Sequence, residues 1–298
     1  MSVLASSPVD ETTVQAARPA GPSARATPVT TARRAAHPLR RVAAVVRSTL
    51  WKSAAIVAFL LLWEVGPQWF AAPSTRVFLP PLHDVLAATW KLLASGALET
   101  HLAASLTRSV AGFGVAVVLG VAAGLLIAWY RPLNSFITPL LEVFRNTAAL
   151  ALLPVFTLLL GIGEESKISI VAYAAFFPVL LNTIAGVRTV DPLLVRAARS
   201  LGLSSLALFR KVILPSAVPT IFTGIRMAGT ASILVLIAAE MVGAKAGLGY
   251  LIVNAQSSFL IPDMYAGILT VSLLGLAVNT LLVALERHFS RWRVEARS

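Results

Sequence analysis

The chain contains no cysteine. Disulfides, thiolate catalysis and zinc–thiolate centres are therefore excluded. Charge is also scarce: 13% of residues are charged, where a soluble domain carries about a quarter. The histidines His37, His83, His101 and His288 lack metal-ligand spacing. No G-x-x-x-x-G-K-[ST] occurs, and "GIGEESK" and "GAKAGLG" read as Gly-containing turns, so the chain is expected to have no ATPase of its own. No nucleophile–base pairing is visible. Neither an enzyme, a cofactor nor a metal is expected. Large apolar side chains are nearly missing from residues 1–45, which are rich in Ala, Pro, Thr and Arg. That stretch cannot bury a core and reads as a disordered basic tail.

What remains is overwhelmingly apolar. Hydrophobic residues make up 57% of the chain, the mean hydropathy is +0.80, and the apolar residues fall in runs long enough to cross a bilayer. The expected fold class is all-α, a polytopic membrane helical bundle. Six spans are read: Trp51–Phe70, Leu102–Trp129, Asn134–Leu160, Ile168–Val187, Ser216–Val242 and Met264–Leu285. "LHDVLAATWKLLAS", Leu82–Ser95, is amphipathic and too short to cross, so it is expected at the interface. The domain reading is a tail at 1–45, a first span with an interfacial helix at 46–99, the main helical bundle at 100–286 and a second tail at 287–298.

Lys and Arg distribute unevenly over the loops. Eighteen fall on the side holding both termini and four on the other. By the positive-inside rule both termini are cytoplasmic. Much of the net charge of +12 is then a topology signal, and no nucleic-acid partner is implied.

One cytoplasmic loop stands out: "DPLLVRAARSLGLSSLALFRKVILP", Asp191–Pro215. Asp191 suits an N-cap and Pro192 the first helical position. Gly202 suits a left-handed helix end. Ser204 or Ser205 can cap a second short helix, which Pro215 is expected to stop or kink. The result is a helix–Gly–helix shelf with exposed Leu and Phe. It suits either an interfacial hairpin lying on lipid or a docking surface for a cytoplasmic partner.

The stretch resembles a known family. The pattern Glu-Ala-Ala, three residues, Gly, nine residues, Ile, one residue, Leu-Pro marks permease subunits of ATP-binding-cassette importers. Ala197, Ala198, Gly202, Val212, Leu214 and Pro215 match it, and Arg196 stands where the family has Glu. "LLPVFTLLLGIGEESKI", "FFPVLLNTIAGVRTVDP" and "AAEMVGAKAGLGYLI" are similar to the nitrate, sulfonate and taurine branch. "RNTAALALLP" lacks that branch's usual proline pair. The resemblance implies a type I importer permease fold in a bacterial inner membrane. It also implies a second permease copy as a homodimer partner, two cytoplasmic ATP-binding subunits and an external binding protein. The ATPases would dock at Leu194, Arg196, Ala197, Ala198, Leu201, Gly202, Leu203, Leu206, Phe209 and Pro215.

Charges within spans usually pair or face a bundle interior. Glu142 and Arg145 are three apart and can pair on one helix face. Alternatively Arg145 or Arg226 offers positive potential to an anion. The substrate-pathway candidates are Arg145, Asn146, Asn182, Arg226 and Glu240. Gly112, Ala116, Gly120, Gly124 and Ala128 form a small-residue face, suited to close packing within the chain or against a second copy. A rival reading is a secondary transporter with no ATPase partner, which would require inverted repeats and coupling carboxylates. No convincing internal repeat is seen. A third is a non-transporting membrane scaffold.

Overall fold

The computed structural model describes residues 38–70 and 77–289. Two compact units, residues 1–55 and 56–298, make up the chain. In the first, the described residues belong to helix α1, Pro38–Phe70. Helix thus begins at Pro38, inside the stretch read as a disordered tail. The remainder of that tail, and most of the C-terminal one, lies outside the described residues.

The second unit holds the end of α1 and, among the described residues, ten further α-helices. These are α2 (Leu82–Ala94), α3 (Ala97–Trp129), α4 (Arg131–Arg145), α5 (Leu153–Leu160) and α6 (Glu164–Arg188). Then follow α7 (Pro192–Ser200), α8 (Ser205–Leu208), α9 (Leu214–Glu240), α10 (Leu248–Ser257) and α11 (Ile261–Phe289). Among the described residues, four stretches are long and apolar enough to cross a membrane: Ala97–Trp129, Glu164–Arg188, Ser205–Glu240 and Ile261–Phe289. A bent pair adds a fifth, and Ala54–Trp69 is a shorter apolar helix.

The packed centre is α6, held between α3 and α9. Small residues permit the approach. A Cβ added to Gly112 would stand 2.6 Å from the Ile168 carbonyl oxygen, and one on Gly124 2.6 Å from Cβ of Thr183. The four-residue small stripe of α3 is therefore a contact within the chain. It meets Val171, Val179 and Thr183 of α6, which are buried. In a membrane such contact depends on van der Waals packing and close backbones, because lipid supplies no hydrophobic drive between helices.

Two elements depart from the sequence reading. Asn134–Leu160 is not one continuous span. It breaks after Arg145, passes Ala148 in extended conformation and a 3₁₀ turn at Ala149–Leu152, and resumes as α5 at 85° to α4. Pro154 lies in the first turn of α5, where its missing N–H leaves no intrahelical bond unmade. Nor does Pro215 stop its helix. A π-turn at Phe209–Ile213 joins α8 to α9, and Ser205–Glu240 runs as one 36-residue helix. The wider turn gives room for the proline ring against the preceding carbonyls.

Candidate functional site

The break between α4 and α5 opens a cleft of about 500 Å³. Arg145, Asn146 and Thr147 line it from the break, Tyr173, Phe177 and Asn182 from α6, and Met227, Ala231 and Val235 from α9. Tyr173 donates from its hydroxyl to the Phe144 carbonyl (2.7 Å), tying the end of α4 to α6. Asn146 donates to the Glu142 carbonyl (2.7 Å) and Asn182 to the Pro178 carbonyl (2.8 Å), so their side-chain amide nitrogens are already engaged. Arg145 pairs with Glu142 as expected, but loosely, at 3.5 Å, and its side chain is 44% exposed. A half-exposed guanidinium and an unwound backbone fit membrane depth only where they border water or protein. One loosely held cation beside aromatic rings is a setting for a small anion.

Of the pathway candidates, Arg145, Asn146 and Asn182 come together at this cleft. Arg226 and Glu240 stand elsewhere. Arg226 pairs with Glu286 of α11 at 3.2 Å. Glu240 is 1% exposed and belongs to a clamp at the end of the bundle opposite the shelf.

The clamp centres on Arg108 of α3, 4% exposed. Its Nη1 donates to Glu240 Oε1 (2.6 Å) and to the Ala246 carbonyl (2.6 Å). Its Nε and Nη2 grip both carboxylate oxygens of Glu164, at the start of α6. Glu240 also accepts from Ser105 Oγ (2.8 Å) and the Gly249 amide (3.0 Å). Ser105 in turn accepts from the Leu248 amide (2.8 Å). Gly247 and Gly249 leave the carboxylate its space, since a Cβ on Gly249 would stand 2.7 Å from Cβ of Glu240. Sequence reasoning passed over Arg108, Ser105 and Glu164. The available signal was a span Arg with no acid three or four residues away, which had to find its partner on another helix.

At the shelf, Asp191 Oδ1 accepts from the Leu193 amide (2.8 Å) and caps α7. The helix closes at Gly202, φ +76, with Gly202 N donating to Arg199 O (2.9 Å) and Leu203 N to Ala198 O (3.2 Å). That is the paired bonding of a left-handed helix end. Ser204 rather than Ser205 caps the next helix, accepting from the Ala207 amide (3.3 Å). Leu194, Arg196, Ala197, Leu201, Gly202 and Leu206 are exposed. Leu203, Phe209 and Pro215 are half-buried, and Ala198 is buried. Phe209 meets Trp129 edge-on at 5.0 Å.

The end of α1 is tied to α2 through His83. Its amide donates to Glu64 Oε2 (3.1 Å), and its ring Nδ1 lies 2.7 Å from Glu64 Oε1. The hydrogen bond to Glu64 holds the imidazole's pKa above its ordinary 6.5, with burial opposing. A raised pKa means the pair stabilises fully below the ordinary value and fades as pH climbs through the raised one. The unfolding-temperature difference between wild type and His83→Gln should accordingly be largest in mild acid and shrink towards alkaline pH.

The chain of apolar helices has known relatives. Residues 116–294 match the family described as the binding-protein-dependent transport system inner membrane component. The chain belongs to this family: it is an ABC transporter permease, a multi-pass membrane protein. A permease named for aliphatic sulfonates transport in Escherichia coli is 38% identical over 238 residues, covering 79% of this chain and 89% of that protein. The taurine transport system permease of the same organism is 33% identical over 244 residues, covering 80% and 88%. Among solved structures, the inward-facing MetNI methionine ABC transporter matches 65% of this chain and 95% of that one, with a TM-score of 0.56 at 18% identity. That likeness supports the fold alone.

Proposed function

We propose that this chain is the membrane-spanning subunit of an ATP-driven importer for a small anion such as an aliphatic sulfonate, taurine or nitrate. Two copies form the pathway, an external binding protein delivers the anion, and two ATP-binding subunits dock on the Asp191–Pro215 shelf. In this reading the shelf end faces the cytoplasm, which the Lys and Arg bias favours, and the clamp end faces outward. The relatives named for sulfonates and taurine favour this substrate class. The single observation that carries the reading is Arg145 at the helix break, half-exposed and loosely paired in the cleft.

The test is uptake in proteoliposomes holding the permease, its ATPases and its binding protein, with taurine, ethanesulfonate and nitrate offered separately. Arg145→Gln should lower uptake by about tenfold or more, the usual scale for losing hydrogen bonds from a charged group. The complex should still assemble, because the side chain is half-exposed and its ion pair with Glu142 is loose. Undiminished uptake in Arg145→Gln would remove the cleft from the pathway.

A further inference from the structure

A second cavity, of about 480 Å³, opens at the shelf end between the end of α6, helix α7 and the start of α9. It lies on the same face of the helix pair as the Arg145 cleft. Asn182 of the cleft and Thr189 of the cavity, the C-cap of α6, are seven residues apart. Met227 and Thr220 are seven apart on α9. Seven residues make two helical turns with a drift of only ~20°, so one groove runs along both helices. Ala231 of the cleft and Ser216 of the cavity stand 15 residues apart, about 22 Å of helix.

The cavity's side chains suit an oxyanion. Lys211 is exposed and makes no ion pair among the described residues. Elsewhere in the chain, Thr89, Thr107, Thr183, Thr223, Thr270 and Thr280 each donate to the carbonyl four residues back. The hydroxyls of Ser216 and Thr220 make no hydrogen bond among the described residues, so both keep a donor to offer beside the three of the lysine. No carboxylate lines the cavity, and Leu194 and Pro219 give it an apolar wall for a short alkyl group. We infer that this is a second sulfonate site in the groove, a release site where Lys211, Ser216 and Thr220 take the anion after Arg145. The inference rests on the transport reading above. Conduction favours several moderate sites over one tight one, because the ion must leave as readily as it enters.

The chain's lack of cysteine supplies the test. Full-length Ser216→Cys in nanodiscs is labelled with a sulfonate-bearing and with an ammonium-bearing methanethiosulfonate reagent. Ser204→Cys, exposed on the shelf outside the cavity, gives the reference ratio of the two rates. At Ser216→Cys the ratio should shift towards the sulfonate reagent by ~10-fold or more, the scale on which a cationic cleft concentrates counter-ions. Ethanesulfonate should slow the labelling. Adding Lys211→Gln with Thr220→Val should abolish both effects, and Lys211→Arg, which keeps the charge, should retain them. In proteoliposomes the Lys211→Gln, Thr220→Val chain should lose ethanesulfonate uptake by ~10-fold. Equal ratios at the two cysteines would overturn the inference and leave the cleft to be judged by Arg145→Gln alone. Protection by inorganic phosphate and not by ethanesulfonate would overturn it in favour of a phosphate site off the path. Undiminished uptake in the double variant would overturn it as well. If Arg145→Gln transports normally while the double variant does not, the release site stands and the cleft reading falls.

Discussion

Arg108→Ala should destabilise the purified permease by about 3–5 kcal/mol, the range for removing one partner of a buried ion pair. The loss would leave the buried carboxyl of Glu240, 1% exposed, without its cationic partner. The Ala246 carbonyl would lose a donor as well. Glu164 would simply return to solvent, since its side chain is 62% exposed. A ranking follows that a denaturation series in detergent can check. Arg108→Ala should be worst and Glu164→Gln mildest. Glu240→Gln should fall between, because its remaining carbonyl oxygen still accepts from Ser105 or Gly249. Equal unfolding midpoints for Arg108→Ala and Glu164→Gln would show that the clamp's inner half contributes nothing.

Gly224→Ala should cause the second large effect. Its added Cβ would stand 2.5 Å from Cβ of Asn182 and 2.7 Å from the Pro178 carbonyl oxygen. A backbone carbonyl cannot swing aside, so α6 and α9 must separate. Overpacking of this kind costs about 1–3 kcal/mol. The displacement also falls on Asn182, which lines the cleft, so uptake should drop beyond what lost stability explains. Gly275→Ala is the control: nothing lies within 4 Å of the added atom, and alanine favours helix over glycine by about 1 kcal/mol. That variant should be neutral or more stable. A normal thermal midpoint and normal uptake for Gly224→Ala would contradict the close approach of the two helices.

These two sites differ in how far the sequence reveals them. Local features were legible. Asp191, Gly202 and the Glu142–Arg145 pair lie within a few residues of their partners, and the structure shows the cap, the left-handed turn and the pair. The small stripe on α3 was legible as a packing face, because a four-residue period survives in the letters. The break after Arg145 was not. Apolar residues continue on both sides of it, and hydropathy does not distinguish a straight helix from two at 85°. The continuity through Pro215 was hidden for the opposite reason: proline signals a stop, and the π-turn that absorbs it has no signature of its own. Arg108 with Glu240 and Arg226 with Glu286 join residues 132 and 60 positions apart, a pairing that only the folded chain reveals.

The unbroken helix from Ser205 to Glu240 turns the molecule into a mechanical problem. Thirty-six residues at ~1.5 Å each make a rod about 54 Å long. One end carries the shelf's Leu206 and Phe209, the other the carboxylate of the clamp. Had Pro215 broken it, a push on the shelf would have been absorbed at a hinge. The π-turn, five residues long, therefore keeps shelf and clamp on one continuous stretch of helix rather than on two helices joined by a loop.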